Sequence, residues 1–181
     1  GKQVKKLNKI LDDLVSRLAS PKGYNYKIHF IDDTVLNAFT IGGHIFFLKG
    51  MYNFCENDSE LAAIISHEIA HNELGHLTAK MKKFLAAKSL GPLGWIASEV
   101  ERIATGPFNQ KQEAAADMFG MDLVYPTKYK NCASIDYFTR SSELQGDFNV
   151  LNNFLSTHPH SAKRADCVRN HLESNYSLSC P

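Results

Sequence analysis

Residues 65–76 read ISHEIAHNELGH, and three of these twelve side chains are imidazoles. His67 and His71 are four apart, so on a helix their rings leave the same face one turn apart and can close on one ion. Glu68, beside the first histidine, points partly aside. It is poorly placed to ligate the same ion, but it can reach a water bound there. A zinc ion would lower the pKa of that water toward neutrality, and a carboxylate can take its proton and later deliver it to a leaving amine. Two chance histidines on an ordinary helix are the competing reading. The surrounding apolar residues disfavour it, because burying two unpartnered imidazoles is costly.

A catalytic zinc needs three protein ligands and one open position. His76 lies five residues past His71, about 140° round the helix, which suits a supporting or capping role better than ligation. A histidine six residues after His71 would suit another class of zinc enzymes, but that position is Leu77. The segment QEAAAD offers a carboxylate instead. Glu113 and Asp117 share a helical face with only alanines between them, so this helix can approach the first closely. Glu113 is then a candidate third ligand, and Asp117 can accept the proton on a ligand histidine's other nitrogen and so fix its tautomer. An acidic, solvated face is the alternative. The flanking Ala114–Ala116, Met118 and Phe119 are too apolar for it.

These residues need elements to hold them. Val4, Leu7, Leu11, Leu14 and Leu18 recur at helical spacing, and the helix should stop near Ser20-Pro21. Tyr26, Ile28 and Phe30 alternate as in a strand. NAFTIGG, 37–43, reads as a strand or loop entering a turn, and HIFFLKG, 44–50, as a further extended run. Asn57, Asp58 or Ser59 can cap the histidine helix, whose buried side would carry Leu61, Ile64, Ile65, Ile69 and Leu74. Residues 77–90 can prolong it, until Gly91-Pro92 and Gly94 interrupt the pattern around Trp95. Helices are expected over 110–125, 135–157 and 161–174, the last two separated by His158-Pro159. The expected fold class is α+β, a mainly helical domain with a small antiparallel or mixed sheet, in one unit over 1–181.

Composition sets outer limits. A formal charge of +1 with scattered lysines gives no electrostatic footprint for nucleic acid. No apolar run approaches the roughly 18 residues of a membrane span, and no charged-then-apolar leader opens the chain. A soluble chain is expected, with membrane association through a removed signal peptide or lipid anchor left open, and oligomeric state undetermined. Cys55, Cys132, Cys167 and Cys180 form no C-x-x-C pair, so sulfur ligation of metal is disfavoured. Their wide spacing suits one or two structural disulfides and hence an oxidising compartment.

Four stretches in order carry a family resemblance: NAFTIGGHIFFLKGM, ELAAIISHEIAHNELGH, EAAADMFGMDL and FLSTHPHSAKR. Together they resemble the gluzincin metallopeptidases of the family that holds the CAAX prenyl endopeptidase, the HtpX heat-shock protease and the periplasmic beta-barrel-assembly-enhancing protease. The resemblance implies one zinc on His67, His71 and Glu113, with Glu68 as general base and Asp117 in support. It implies that 44–50 is the active-site edge strand, on which a peptide pairs through His44, Ile45, Phe46 and Phe47, with Asn37, Ala38 and Phe39 beside it. His158 is either a fourth ligand in a resting state or a donor to the oxyanion, against the plainer reading of a helix-entry residue. Arg164 either grips a carboxylate of the metal shell or faces water. The expected activity is a zinc-dependent endopeptidase acting on unfolded or extended polypeptide. Members embedded in membranes have hydrophobic spans that this chain lacks, so the envelope-located soluble members fit better. That places it in the periplasm or membrane-attached facing it, with secretion as the alternative, in protein quality control. The rival function is a chaperone-like factor that keeps the zinc fold and grips clients without cutting them.

Overall fold

A computed structural model describes residues 1–19, 21–80, 106–143, 158 and 162–181. The chain opens with α1 (Lys2–Val15), whose Leu7, Ile10, Leu11 and Leu14 are buried while its lysines face water. Three short strands follow: β1 (Lys27–Ile31), β2 (Ala38–Ile41) and β3 (His44–Leu48). Then come α2 (Lys49–Phe54), α3 (Asp58–Glu73), α4 (Gln110–Val124), α5 (Ala133–Glu143) and α6 (Ala162–Tyr176). The expected mainly helical α+β class with a small mixed sheet holds.

The sheet has the order β1-β3-β2, with β3 parallel to β1 and antiparallel to β2. Gly42 (φ 57°) and Gly43 (φ 88°) form the two-residue loop between β2 and β3. Two consecutive positive φ values are what a tight hairpin turn demands, and glycine supplies them without strain. The order corrects one expectation. HIFFL is the central strand, and β1 and β2 are the two edges, neither facing a further strand among the described residues. Ile45 and Phe47 are fully buried, so they hold the core and are not available to a peptide. The physical reason is that β1 returns to pair with β3 from thirteen residues away, a long-range parallel match that alternation of residue types does not encode.

Helix α3 runs through the middle of the molecule and is buried on every side from Glu60 to Glu73, as a helix without a polar face must be. Asn57 caps it, accepting from the backbone N–H of Ser59 (3.0 Å) and Glu60 (3.1 Å). It ends at Leu74, because Gly75 takes φ 69°. Leu74 is therefore 38% exposed, not part of the buried face. The fully buried Glu60 is gripped by Arg140 of α5 through two bonds of 2.7 and 2.6 Å, which ties α5 to the start of α3. Helix α4 opens with a capping box between Asn109 and Gln112 and packs extensively along α3. Gly120 makes this approach possible, since a Cβ there would lie 3.1 Å from Ser66 Oγ and 3.3 Å from the His67 backbone nitrogen.

Residues 76–80 are helical again, and the continuation to 90, the GPLGW segment and residues 144–157 lie outside the described residues. No helix among the described residues is long and apolar enough to cross a membrane. One disulfide joins Cys132, ahead of α5, to Cys180 in the C-terminal tail, while Cys55 and Cys167 are free thiols. Reducing that bond should lower the free energy of unfolding by about 2–4 kcal/mol, because it closes a long loop in the unfolded chain. Urea titration with and without reductant measures this, and coincident curves would contradict it.

Candidate active site

Three stretches far apart in sequence converge on one buried point. His67 and His71 come from adjacent turns of α3, Glu113 from the first turn of α4, and His158 from the chain before α6. Their ligand atoms all lie within 4.8 Å of one another. His67 Nε2 is 2.9 Å from His71 Nε2 and 3.4 Å from Glu113 Oε2, and His71 Nε2 is 3.4 Å from Glu113 Oε1. His158 Nδ1 sits 3.2 Å from both His67 Nε2 and Glu113 Oε1. A tetrahedral ion with bonds of about 2.1 Å would separate its ligand atoms by about 3.4 Å, so the spacing fits a metal centre.

The outer partners set the protonation needed. His67 Nδ1 donates to Asp117 Oδ1 at 2.9 Å, leaving the Nε2 lone pair for an ion. His71 Nδ1 lies 2.9 Å from His76 Nδ1, so the same arrangement holds when His71 donates to His76. Arg164 grips Asp117 with Nε and Nη2, both at 2.7 Å, and reaches Glu113 Oε2 with Nη1 at 2.8 Å. The face of Phe138 covers its guanidinium at 4.9 Å. Glu68 is almost completely buried, and neither of its oxygens has a hydrogen-bond partner among the described residues. Its Oε1 lies 3.3 Å from His158 Nε2. A buried carboxylate without a hydrogen bond among the described residues, beside a ligand cluster, fits a group kept for a bound water.

Charge follows from this packing. Burial raises the pKa of Asp117, but Arg164 and His67 outweigh it and bring it down to about 2. Burial also pushes Glu113 up, and His158 with His67 draws it well below the usual carboxylate range. For His67, burial pulls downward and Glu113 with Asp117 more than reverses it, to about 10. Burial and the nearby His67 push His71 far down. Glu68 is raised, chiefly by burial. With neutral imidazoles, the buried carboxylates outnumber the one guanidinium that touches them, and the negative cluster suits a cation.

Over residues 2–172 the sequence matches Peptidase family M48. The chain belongs to that family. Among its M48-type relatives, the mitochondrial metalloendopeptidase OMA1 of Schizosaccharomyces pombe is 31% identical over 149 residues, covering 77% of this chain and 44% of the relative. Metalloprotease YcaL of Escherichia coli K12 is 28% identical over 188 residues, covering 96% of this chain and 70% of the relative. Metalloprotease LoiP of the same strain is 27% identical over 165 residues, covering 83% and 64%. The chain spans less than half the length of the fungal and plant OMA1 proteins that it matches.

The structure thus gathers His67, Glu68, His71, Glu113, Asp117, His158, Arg164 and His76 at one candidate site. It does not gather the strand residues there: Ile45 and Phe47 are core, and His44, Phe46 and Phe39 stand on the outer face of the sheet, where the rings of Phe39 and Phe46 stack at 4.9 Å. Ala38 is buried, and Asn37 nearly so. Three residues went unread in the sequence. Phe108 stacks on the His71 ring at 3.8 Å, and Lys80 covers Phe108 at 3.3 Å, but a single aromatic and a single lysine carry no spacing signal. Asn72, next to His71, bonds to the sheet. If Asp117 orients His67, Asp117→Asn should weaken metal affinity by about 10–100-fold. Competition with a chromogenic chelator gives the number, and unchanged affinity would dismiss the orienting role.

Proposed function

We propose that this chain is a zinc-dependent endopeptidase domain that hydrolyses peptide bonds in unfolded or extended polypeptide. The observation that carries the reading is Glu68: a buried carboxylate with both oxygens unbonded among the described residues, set beside four convergent metal-ligand atoms. His67, His71 and Glu113 would hold the ion. Zinc bound there acidifies a water and polarises a carbonyl. Glu68 accepts the proton of that water as it attacks the scissile carbon, and returns it to the departing amine nitrogen. Asp117 keeps His67 in the ligating tautomer, and Arg164 compensates the buried carboxylates. The M48 membership and the relatives' names as metalloendopeptidases and metalloproteases support the same reading.

His158 stands next to both His67 and Glu113, where it would take the fourth corner around an ion. A catalytic centre keeps that corner for water. With His158 as a ligand the centre would be at rest, and the ring would have to withdraw before Glu68 could activate a water; a withdrawn ring could donate to the oxyanion. A polypeptide substrate would lie on the β2 edge, where main-chain pairing tolerates varied sequence. The Cys132–Cys180 bond supports an oxidising compartment, in keeping with the cell envelope, a periplasmic setting and protein quality control.

A chaperone-like binder has no use for Glu68, so one substitution divides the two functions. Glu68→Gln should retain about one zinc per chain and lose at least ~100-fold in cleavage of unfolded casein. Cleavage persisting in that variant would refute the proposed base. His158→Ala should cut faster than the parent protein if the resting arrangement limits turnover; slower cutting would assign His158 to the oxyanion alone.

A further inference from the structure

Asn72 is 2% exposed, and its side-chain amide is fully engaged. Its Oδ1 accepts from the Gly43 N–H at 3.3 Å, and its Nδ2 donates to Thr40 Oγ1 at 2.6 Å and to the Glu68 carbonyl at 3.2 Å. Thr40 Oγ1 donates onward to the His44 carbonyl at 3.2 Å. One acceptor and two donors on a short side chain are what an asparagine offers. The bonds join the α3 turn that carries Glu68 and His71 to the β2–β3 hairpin at two points. The next residue, Glu73, adds a second tie by accepting from Tyr26 Oη (2.7 Å) and the Lys22 N–H (3.0 Å).

Thr40 occupies a telling position. In a two-residue hairpin the pair flanking the loop, here Ile41 and His44, is the hydrogen-bonded one. Phe39 and Ile41 thus direct their backbone groups to β3, and Ala38 and Thr40 direct theirs to the open edge. An open cleft lined by Ile41, Gly42, His71, Asn72 and Leu77 joins the end of β2 to the site. The residue held by Asn72 is thus one of the two whose main chain an incoming peptide would meet.

We infer that Asn72 is a positioning residue: by holding Thr40 and Gly43 on α3 it fixes the height of the substrate-pairing edge relative to Glu68 and the metal ligands. The inference rests on the peptidase reading, and it predicts a loss in substrate binding with little loss in chemistry. Asn72→Ala and the gentler Thr40→Val should each raise KM for reduced, alkylated insulin B chain by about 5–10-fold, the effect of roughly one hydrogen bond. Their kcat and zinc content should stay within about twofold of the parent, and the double variant should be no worse than Asn72→Ala alone. Amide exchange at residues 40–44 should quicken in both variants while the middle of α3 keeps its protection. A structural prop for His71 alone would lower zinc content or kcat and leave KM unchanged, and that result in both variants would overturn the inference. Should the parent protein cut nothing, the peptidase reading fails separately. Binding of dye-labelled B chain to the Glu68→Gln protein, with and without Asn72→Ala, then decides: weaker binding with faster exchange upholds the positioning role, and unchanged binding or exchange overturns it.

Discussion

The fork of Arg164 on two buried carboxylates is the interaction on which the rest depends. Glu113 and Asp117 sit one turn apart on α4, both nearly inaccessible, and the guanidinium touches both. Removing one partner of such a set typically costs 3–5 kcal/mol, since the other charge is left buried alone. Arg164 comes from α6, so docking of the last helix brings in the cation that the two carboxylates share. Even then the cluster is short of positive charge. That deficit holds His67 at about 10 when protons alone supply it, and it is what a bound dication would replace.

Around this charge set the packing has one purpose, to bring α3 and α4 close. Small residues do it: Ala114–Ala116 between the two acids and Gly120 against Ser66 leave no side chain in the way. Immediately after His71, α3 is tied to the β2–β3 hairpin through Asn72 and to the segment ahead of β1 through Glu73. A single helix thus joins the metal-ligand cluster to the edge strand. Its burial on every side is the physical condition for that, because a helix with a solvent face could shift against one partner without the other.

The site was more legible in the sequence than the sheet. The i,i+4 pairs His67/His71 and Glu113/Asp117 are local facts, and helical geometry converts each spacing into a shared face. The alanines between the acids signalled close approach, and the run Asn57, Asp58, Ser59 signalled the start of α3, which Asn57 caps. Strand order was not legible, because residues 44–48 have the same alternation whether central or at an edge, and the parallel partner β1 comes from a separate stretch. Leu74 fitted the apolar period but falls where Gly75 turns the chain away. His158 and Arg164 carry no spacing relation to α3, so their contacts belong to tertiary structure alone. Asn72 looked like an ordinary polar residue, since its meaning lies in Thr40 and Gly43, some thirty residues earlier.

The central claim is that three or four protein ligands, all nitrogen or oxygen, hold one zinc beside Glu68. X-ray absorption at the zinc edge, on protein whose metal content has been counted, tests it most directly. The account predicts about one zinc per chain, a first shell of nitrogen and oxygen at about 2.0–2.1 Å with imidazole back-scattering, and no sulfur. A shell with sulfur at about 2.3 Å, or protein that binds no zinc at all, would contradict it.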